Sequence, residues 1–295
     1  MTHHDSNDKI ITIITPSMNQ CSFIQETIDS VLSQSGDFYI DYIIMDGGSK
    51  DNSVEIIKNI EISLSRNYQV IEFKGLIWYI PSTTNPSIIK CKGISFRWFS
   101  KEDNGQADAI NQGIKLMVGD IFSFLNSDDI LIKNSLKIIA SQNFKEHDII
   151  YGKGLWISKN GSKLLPYPTF KPNIYSFYYQ CTICQPTVFI ASNALKEIGF
   201  FDNNFNCTFD YEYWSRAIKL NKKFKGLNYF IAKSRMYNEN KSLLFNQVVK
   251  KEVEIIKLLY FSNIKNKFKL KLYYIIDLIT QRKVYILNKK LQNNI

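Results

Sequence analysis

The tract Leu125-Asn126-Ser127-Asp128-Asp129 ends a short apolar run, Ile121-Phe122-Ser123-Phe124-Leu125. Two adjacent carboxylates repel each other, and Asn126 and Ser127 already meet the chemistry of a turn. A cation is therefore expected at this tract. Other polar groups close apolar runs in the same way: Thr15-Pro16-Ser17, Asp46-Gly47-Gly48-Ser49, and Asp103 in the tract Ser100 to Gly105. One carboxylate at the end of a strand is usually a turn or helix-cap residue. Polar clusters at the ends of four strands point instead to a shared, ligand-binding rim.

The elements that would carry this rim follow from the apolar pattern. Residues 10–14 (Ile-Ile-Thr-Ile-Ile) read as a buried strand, as do 40–45, 94–99 and 121–125. Between them, helical spacing occurs at Ile24, Ile28, Val31 and Leu32, at Val54, Ile57 and Ile60, and at Ala107, Ile110, Ile114 and Met117. Ser22-x-x-Gln25 reads as a capping box for the first helix. Alternating strands and helices predict an α/β fold around a mainly parallel sheet covered on both faces, with ligands beyond the carboxyl ends of the strands. Residues 64–93 break the rhythm and read as a peripheral insertion containing a hairpin. Its apolar Trp78, Tyr79 and Ile80 are expected to meet an acceptor or another chain. Further on, 149–157 reads as a strand followed by an Asn160-Gly161 turn. Helices are expected over 192–198 and after Asp210.

The 295 residues suffice for one large domain with an extension, and 45% are hydrophobic, which excludes wholesale disorder. The five cysteines are sparse and read as reduced packing residues, Cys181-x-x-Cys184 included. The first nine residues lack the apolar core of a signal peptide, and residues 1–8 are expected to be disordered. Residues 250–295 hold 11 Lys/Arg and 3 Asp/Glu, so +8 of the net +10 belongs to the tail. A nucleic-acid-binding body would carry its charge on the fold or along a groove, and no nucleic-acid partner is expected. Within the tail, Phe268, Leu272, Ile275, Ile276 and Ile279 make an apolar helical stripe beside Lys267, Lys269 and Lys271. Residues 246–295 are accordingly read as a basic amphipathic extension. It would lie on an anionic membrane surface, or pack on its own domain or a second subunit.

The tracts TPSMNQ (15–20), DGGSKDNS (46–53), SKEDNGQADAINQG (100–113), FLNSDD (124–129), QPTVF (185–189), GFFD (199–202) and FDYEYW (209–214) together resemble the family 2 glycosyltransferases of the GT-A fold. The resemblance covers roughly residues 9–242, apart from the insertion. It implies a nucleotide-sugar donor, a UDP-sugar by analogy, and inversion at the anomeric carbon. The implied acceptor is a glycan or a lipid-linked glycan of bacterial surface polysaccharide or lipopolysaccharide assembly. The implied place is the cytoplasm or the inner face of the plasma membrane. LNSDD stands where the family places its DxD motif, so Asp128 is expected to bind a divalent cation, Mn²⁺ or Mg²⁺. Asn126 replaces the first carboxylate of that motif and keeps an oxygen without the charge. Donor contacts are implied for Thr15, Pro16, Ser17, Asp46, Asp108, Asn126, Ser127 and Asp129, with Asp103 read as a helix cap. Asp210 matches the general base, with Glu212 as its rival. Glu212 and Trp214 are implied on the acceptor side. Tyr237 stands where relatives often carry a histidine, and Arg235 and Lys241 are the expected substitutes for its positive charge. The other readings are an inactive binding homologue and a nucleotidyltransferase. The latter would need a glycine- and lysine-rich phosphate loop after the first strand, which TPSMNQCS lacks.

Overall fold

The computed structural model describes residues 8–81, 88–238 and 244–292. Residues 1–7 and Lys241, both subjects of expectations above, lie outside the described residues. In chain order the first strands and helices are β1 (Ile10–Ser17), α1 (Ile24–Leu32), β2 (Ser35–Asp46), α2 (Ser53–Asn67), β3 (Gln69–Phe73), β4 (Leu76–Ile80), β5 (Lys90–Ser100), α3 (Gln106–Ile114) and β6 (Ile121–Phe124). They are followed by β7 (Ile130–Leu131), α4 (Ser135–Ala140), β8 (Ile149–Ile157), β9 (Lys163–Pro166), α5 (Ile174–Tyr179), β10 (Val188–Ala191), α6 (Ser192–Ile198), α7 (Phe209–Lys219) and β11 (Phe224–Arg235). The chain continues through α8 (Asn246–Ile256), a π-helical turn over Lys257–Phe261, and α9 (Lys267–Gln292).

One sheet runs in the order β3-β4-β5-β2-β1-β6-β10-β8-β11-β7, with β9 paired to β8. Its long pairings are parallel: β1 with β2 and β6, β2 with β5, and β8 with β11. β1 is buried at every position. Alternation along a strand sends successive side chains to opposite faces. Ile11 and Ile13 therefore join the core under α1, α2 and α4, while Ile14 joins the core under α3, α6 and α7. Chain order diverges on either side of β1, a topological switch point at which α/β sheets open a crevice. Ser17 lies opposite Asp46, Asp46 opposite Ser100, and Ile14 opposite Phe124. This register places the ends of β1, β2, β5 and β6 along one rim, as the sequence suggests.

Two local expectations change. No Ser22 cap forms; α1 starts after Phe23 without a side-chain cap. Instead the amides of Asn19, Gln20 and Cys21 donate to Ser49, Ser53 and Asp51, at 2.8, 2.9 and 2.9 Å. The loops after β1 and β2 thus satisfy each other, which a sequence window cannot reveal. The peripheral hairpin forms as β3–β4 at the edge of the sheet, and its apolar side chains divide between core and surface. Trp78 is 0% exposed, packs on Tyr39 and Phe73, and donates its indole N–H to the Phe73 carbonyl at 2.7 Å. Tyr79 is also buried, so these two rings extend the core, while Val70 and Ile77 of the same hairpin stay 49% and 58% exposed. Trp78→Ala is expected to cost about 3–5 kcal/mol of stability, as for other buried aromatic truncations. Urea unfolding measures it; a loss below about 1 kcal/mol would refute the packing role.

The extension divides its faces. On α9, Tyr273 stacks on Tyr175 with ring centroids 6.1 Å apart and accepts a hydrogen bond from Asn173 at 3.0 Å, and Thr280 accepts one from Gln180 at 3.2 Å. The other side of α9 leaves Phe268 79% exposed, with Leu272, Ile275 and Ile279 also exposed. No helix among the described residues is long and apolar enough to cross a membrane.

Candidate active site

A cavity of about 760 Å³ opens at the rim. Its walls come from Pro16 and Ser17 after β1, from the tract Asn126 to Asp129 after β6, and from Thr208 to Tyr211 at the start of α7. Ser234 to Tyr237, at and beyond the end of β11, complete it, together with Val249 and Val253 of α8. Segments distant in sequence converge here because β7, directly after the acidic tract, pairs with Ala232 and Lys233 of β11.

The acidic tract is held by neighbours of complementary polarity. Asp129 is buried; it accepts the Arg235 amide at 2.9 Å and the Asn126 side-chain amide at 3.3 Å. Asn126 also accepts from Gln106 at 2.6 Å and donates to Gln185 at 3.4 Å. An aspartate at position 126 would lose both donations and set a third carboxylate beside Asp129. The amide is thus the residue that this network requires. Asp128 keeps its carboxylate on the cavity and accepts the Tyr237 hydroxyl at 2.9 Å. Burial pushes the Asp128 carboxyl above the ordinary range, against the opposing Tyr237 hydrogen bond. Asp129 is pushed well above it, first by burial and then by the charge of Asp128.

Part of the cation expected at this tract is Arg235, though not as a free group facing a donor. Its guanidinium is 2% exposed; it pairs with Glu26 at 2.5 Å and donates to the carbonyls of Asp128 at 2.9 Å and Lys159 at 2.7 Å. The group expected to meet the donor's charge lines the cavity and also braces the tract through these contacts. Position 237, where the resemblance implied a loss of positive charge, supplies a neutral hydroxyl donor to Asp128.

Other rim carboxylates also differ from expectation. Asp46 is buried, and its oxygens accept the amides of Gly48 and Ser49 at 3.1 and 2.9 Å and the hydroxyls of Ser49 and Ser100 at 2.5 and 2.7 Å. It organises the loop after β2, where Gly48 takes the left-handed φ of +82° that favours glycine. Asp46 is not among the residues lining the cavity. Asp103, read as a helix cap, accepts the amide of Gly105 just before α3 at 2.8 Å. Asp103 also lines the cavity, whereas Asp108 accepts the Asn104 amide at 3.0 Å and the Gln112 side chain at 2.9 Å. Thr15, at the buried end of β1, bonds the Tyr42 hydroxyl at 3.1 Å.

On the far wall, Asp210 stands in the first turn of α7, and the cap position belongs to Thr208. Its carboxylate accepts the Tyr211 amide at 2.8 Å. A carboxylate at a helix N-terminus is ordinarily favoured as the anion. Here burial dominates and, with a contribution from the negative charge of Glu252, pushes Asp210 up to about 6. Glu212 and Trp214, expected on the acceptor side, do not line the cavity. Glu212 is 1% exposed and held in a two-point pair with Arg216, 3.0 Å at each contact, while Trp214 is in the core. Helical spacing turns Glu212 away from the face that carries Asp210, whereas Trp214, one turn on along that face, is packed in the core. Gln106 and Gln185 escaped the sequence reading although the tracts that contain them were singled out. Glu252, discussed below, carried no sequence signal.

No group of three or more His, Cys, Asp or Glu poised for a metal occurs among the described residues. Asp128 and Asp129 of the acidic tract both line the cavity, and Asp128 is the less buried of the two. This fits a hard cation of the magnesium type, which needs one or two protein carboxylates when substrate phosphates and water complete its shell.

The chain matches the family described as glycosyl transferase family 2 over residues 12–76 and 87–195. An uncharacterized glycosyltransferase of Rickettsia felis is 27% identical over 226 residues, which are 72% of this chain and 32% of that protein. One of Rickettsia typhi is 25% identical over 230 residues, 73% of this chain and 60% of that protein. The chain therefore spans about one third to three fifths of these curated relatives. Among solved structures, S. aureus TarS 1-349 in complex with UDP-GlcNAc superposes with a TM-score of 0.56 at 17% identity, covering 88% of this chain and 69% of that one. The mannosyltransferase of Pyrobaculum calidifontis in complex with GDP-Man and Mn²⁺ gives 0.54 at 10% identity, covering 97% and 80%. At these identities the two structures show a common GT-A fold.

Proposed function

The chain belongs to glycosyl transferase family 2, and from that premise we propose that it transfers a sugar, with inversion, from a nucleotide-diphosphate donor to an acceptor hydroxyl. The observation that carries this reading is the placement of Asp128 and Asp210 on separate walls of one cavity. In the reaction, Asp210 takes the proton of the acceptor hydroxyl as its oxygen attacks the anomeric carbon. The bond from that carbon to the diphosphate breaks on the opposite face. Asp128 would hold a divalent cation, whose charge offsets that of the leaving diphosphate when bound. Tyr237 orients the Asp128 carboxylate, and Arg235 with Asn126 holds the tract in register. Pro16 and Ser17 offer the rim for the nucleotide.

We take the donor to be a UDP-sugar. The TarS complex with UDP-GlcNAc supports this, while the complex with GDP-Man makes GDP-mannose the comparison to run. Nucleoside diphosphate release from UDP- and GDP-sugars, with and without chelator, tests the reading. Release from none of them, with Mn²⁺ and acceptor alcohols present, would refute it.

The acceptor class we infer is a glycan or lipid-linked glycan of surface polysaccharide assembly, presented at an anionic membrane. The exposed Phe268, Leu272, Ile275 and Ile279, beside exposed Lys267, Lys269 and Lys271, support this. Each lysine near such a surface contributes about 1 kcal/mol. Changing the three lysines to glutamine is expected to weaken co-sedimentation with phosphatidylserine vesicles by more than tenfold. Sedimentation of neither protein would refute the membrane contact, and equal sedimentation of both would refute the role of the lysines.

A further inference from the structure

The start of α7, which carries Asp210, is held by a side chain from the extension. Glu252 of α8 is buried, and its two oxygens accept the amides of three consecutive residues just before that helix. The bonds are 2.7 Å from Asn206, 3.0 Å from Cys207 and 2.9 Å from Thr208, and the Thr208 hydroxyl adds one of 2.8 Å. Amides at a helix start lack intrahelical partners and attract an anion. Here the anion comes from 44 positions along the chain, where a local cap would ordinarily serve. Val249 and Val253, on the same helix, contribute to the cavity wall. Tyr260, in the π-helical turn, donates to Glu212 at 2.5 Å. The extension therefore grips α7 at two points and encloses the site.

We propose that Glu252 is a positioning residue for Asp210: it gathers the amides of residues 206–208, fixes the turn that launches α7, and makes the extension part of the catalytic unit. The proposal rests on the reading of Asp210 as the base. Other ionisable groups close to Asp210 are Tyr167, Cys181 and Cys184, and burial holds each above its ordinary range, so they stay neutral near pH 7. Glu252 is the carboxylate whose charge reaches Asp210. Replacing it with glutamine leaves one acceptor oxygen, turns an NH₂ toward amides that need acceptors, and removes that charge. Aspartate keeps the charge and both oxygens.

The test uses the full chain carrying Glu252→Gln, Glu252→Asp or Asp210→Asn. Two readouts need no donor: hydrogen exchange of the 206–208 amides, and titration of the Asp210 carboxyl by carbon-13 NMR, assigned by its loss in Asp210→Asn. The third is kcat against KM for UDP release from UDP-N-acetylglucosamine. In Glu252→Gln we expect exchange about tenfold or more faster and an Asp210 midpoint below the wild-type value. We also expect kcat lowered about tenfold or more with KM within about twofold, as a displaced base requires. Glu252→Asp is expected to recover most of the midpoint and part of kcat. Wild-type exchange, midpoint and kcat in Glu252→Gln, alongside a slow Asp210→Asn, would overturn the role of Glu252 alone. Wild-type kcat in Asp210→Asn would overturn the base reading and this proposal with it.

Discussion

Asp210→Asn is expected to lower turnover by about 10²-fold or more, the scale of general-base catalysis, and to leave melting temperature at pH 7 unchanged or higher. The two signs differ for one reason. Burial raises the carboxyl to about 6 in the folded protein, against about 3.9 in the unfolded chain. Below about pH 4 both states are protonated and the group costs nothing; as pH rises toward 6 the unfolded chain releases its proton first, and stability is lost through that window. Asparagine stays neutral and avoids the loss. The anion that weakens the fold is the form that accepts a proton, so wild-type kcat should rise with pH through about 6 and level above it. Thermal melts across pH 4 to 8, set beside the pH–rate profile, check both halves. A near-normal rate for Asp210→Asn together with an inactive Glu212→Gln would move the base to Glu212, against its burial and its pairing with Arg216.

Asp128→Ala is expected to remove most activity, about 10²–10³-fold, as loss of a preorganised charge at a leaving group does elsewhere. Its effect should also appear without turnover. Mn²⁺ should tighten UDP binding to the wild-type protein and leave binding to Asp128→Ala unchanged. Tyr237→Phe should fall between the two, because it removes only the 2.9 Å hydrogen bond that orients the carboxylate. Full wild-type activity in excess chelator would exclude the metal and leave Asp128 to act on sugar hydroxyls alone.

The α/β architecture was legible from local chemistry, and the glycosyltransferase reading from the resemblance of the tracts that close its strands. Apolar β-branched runs at 10–14, 40–45 and 121–125 become buried parallel strands because only a sheet covered on both faces hides every side chain. The polar groups that close those runs share a rim because parallel strands end together. Which of those groups face the cavity was not legible. Asp46, Asp108 and Glu212 have residue types as apt for a donor or acceptor as Asp128, Asp103 and Asp210, and Arg235 lines the cavity with its charge already paired. Their orientation depends on hydrogen-bond partners contributed by other segments: Ser100 to Asp46 across 54 positions, and Glu26 to Arg235 across 209. Trp78 looked available in the sequence because Ile10 and Tyr39, which pack with it, lie far from it along the chain. Glu252 gave no signal, since a glutamate in an amphipathic helix is ordinarily a solvated residue. Spacing along the chain determines which elements form and at which end of them chemistry can occur. Only their packing decides which carboxylate is held inward as scaffold and which is left facing the substrate.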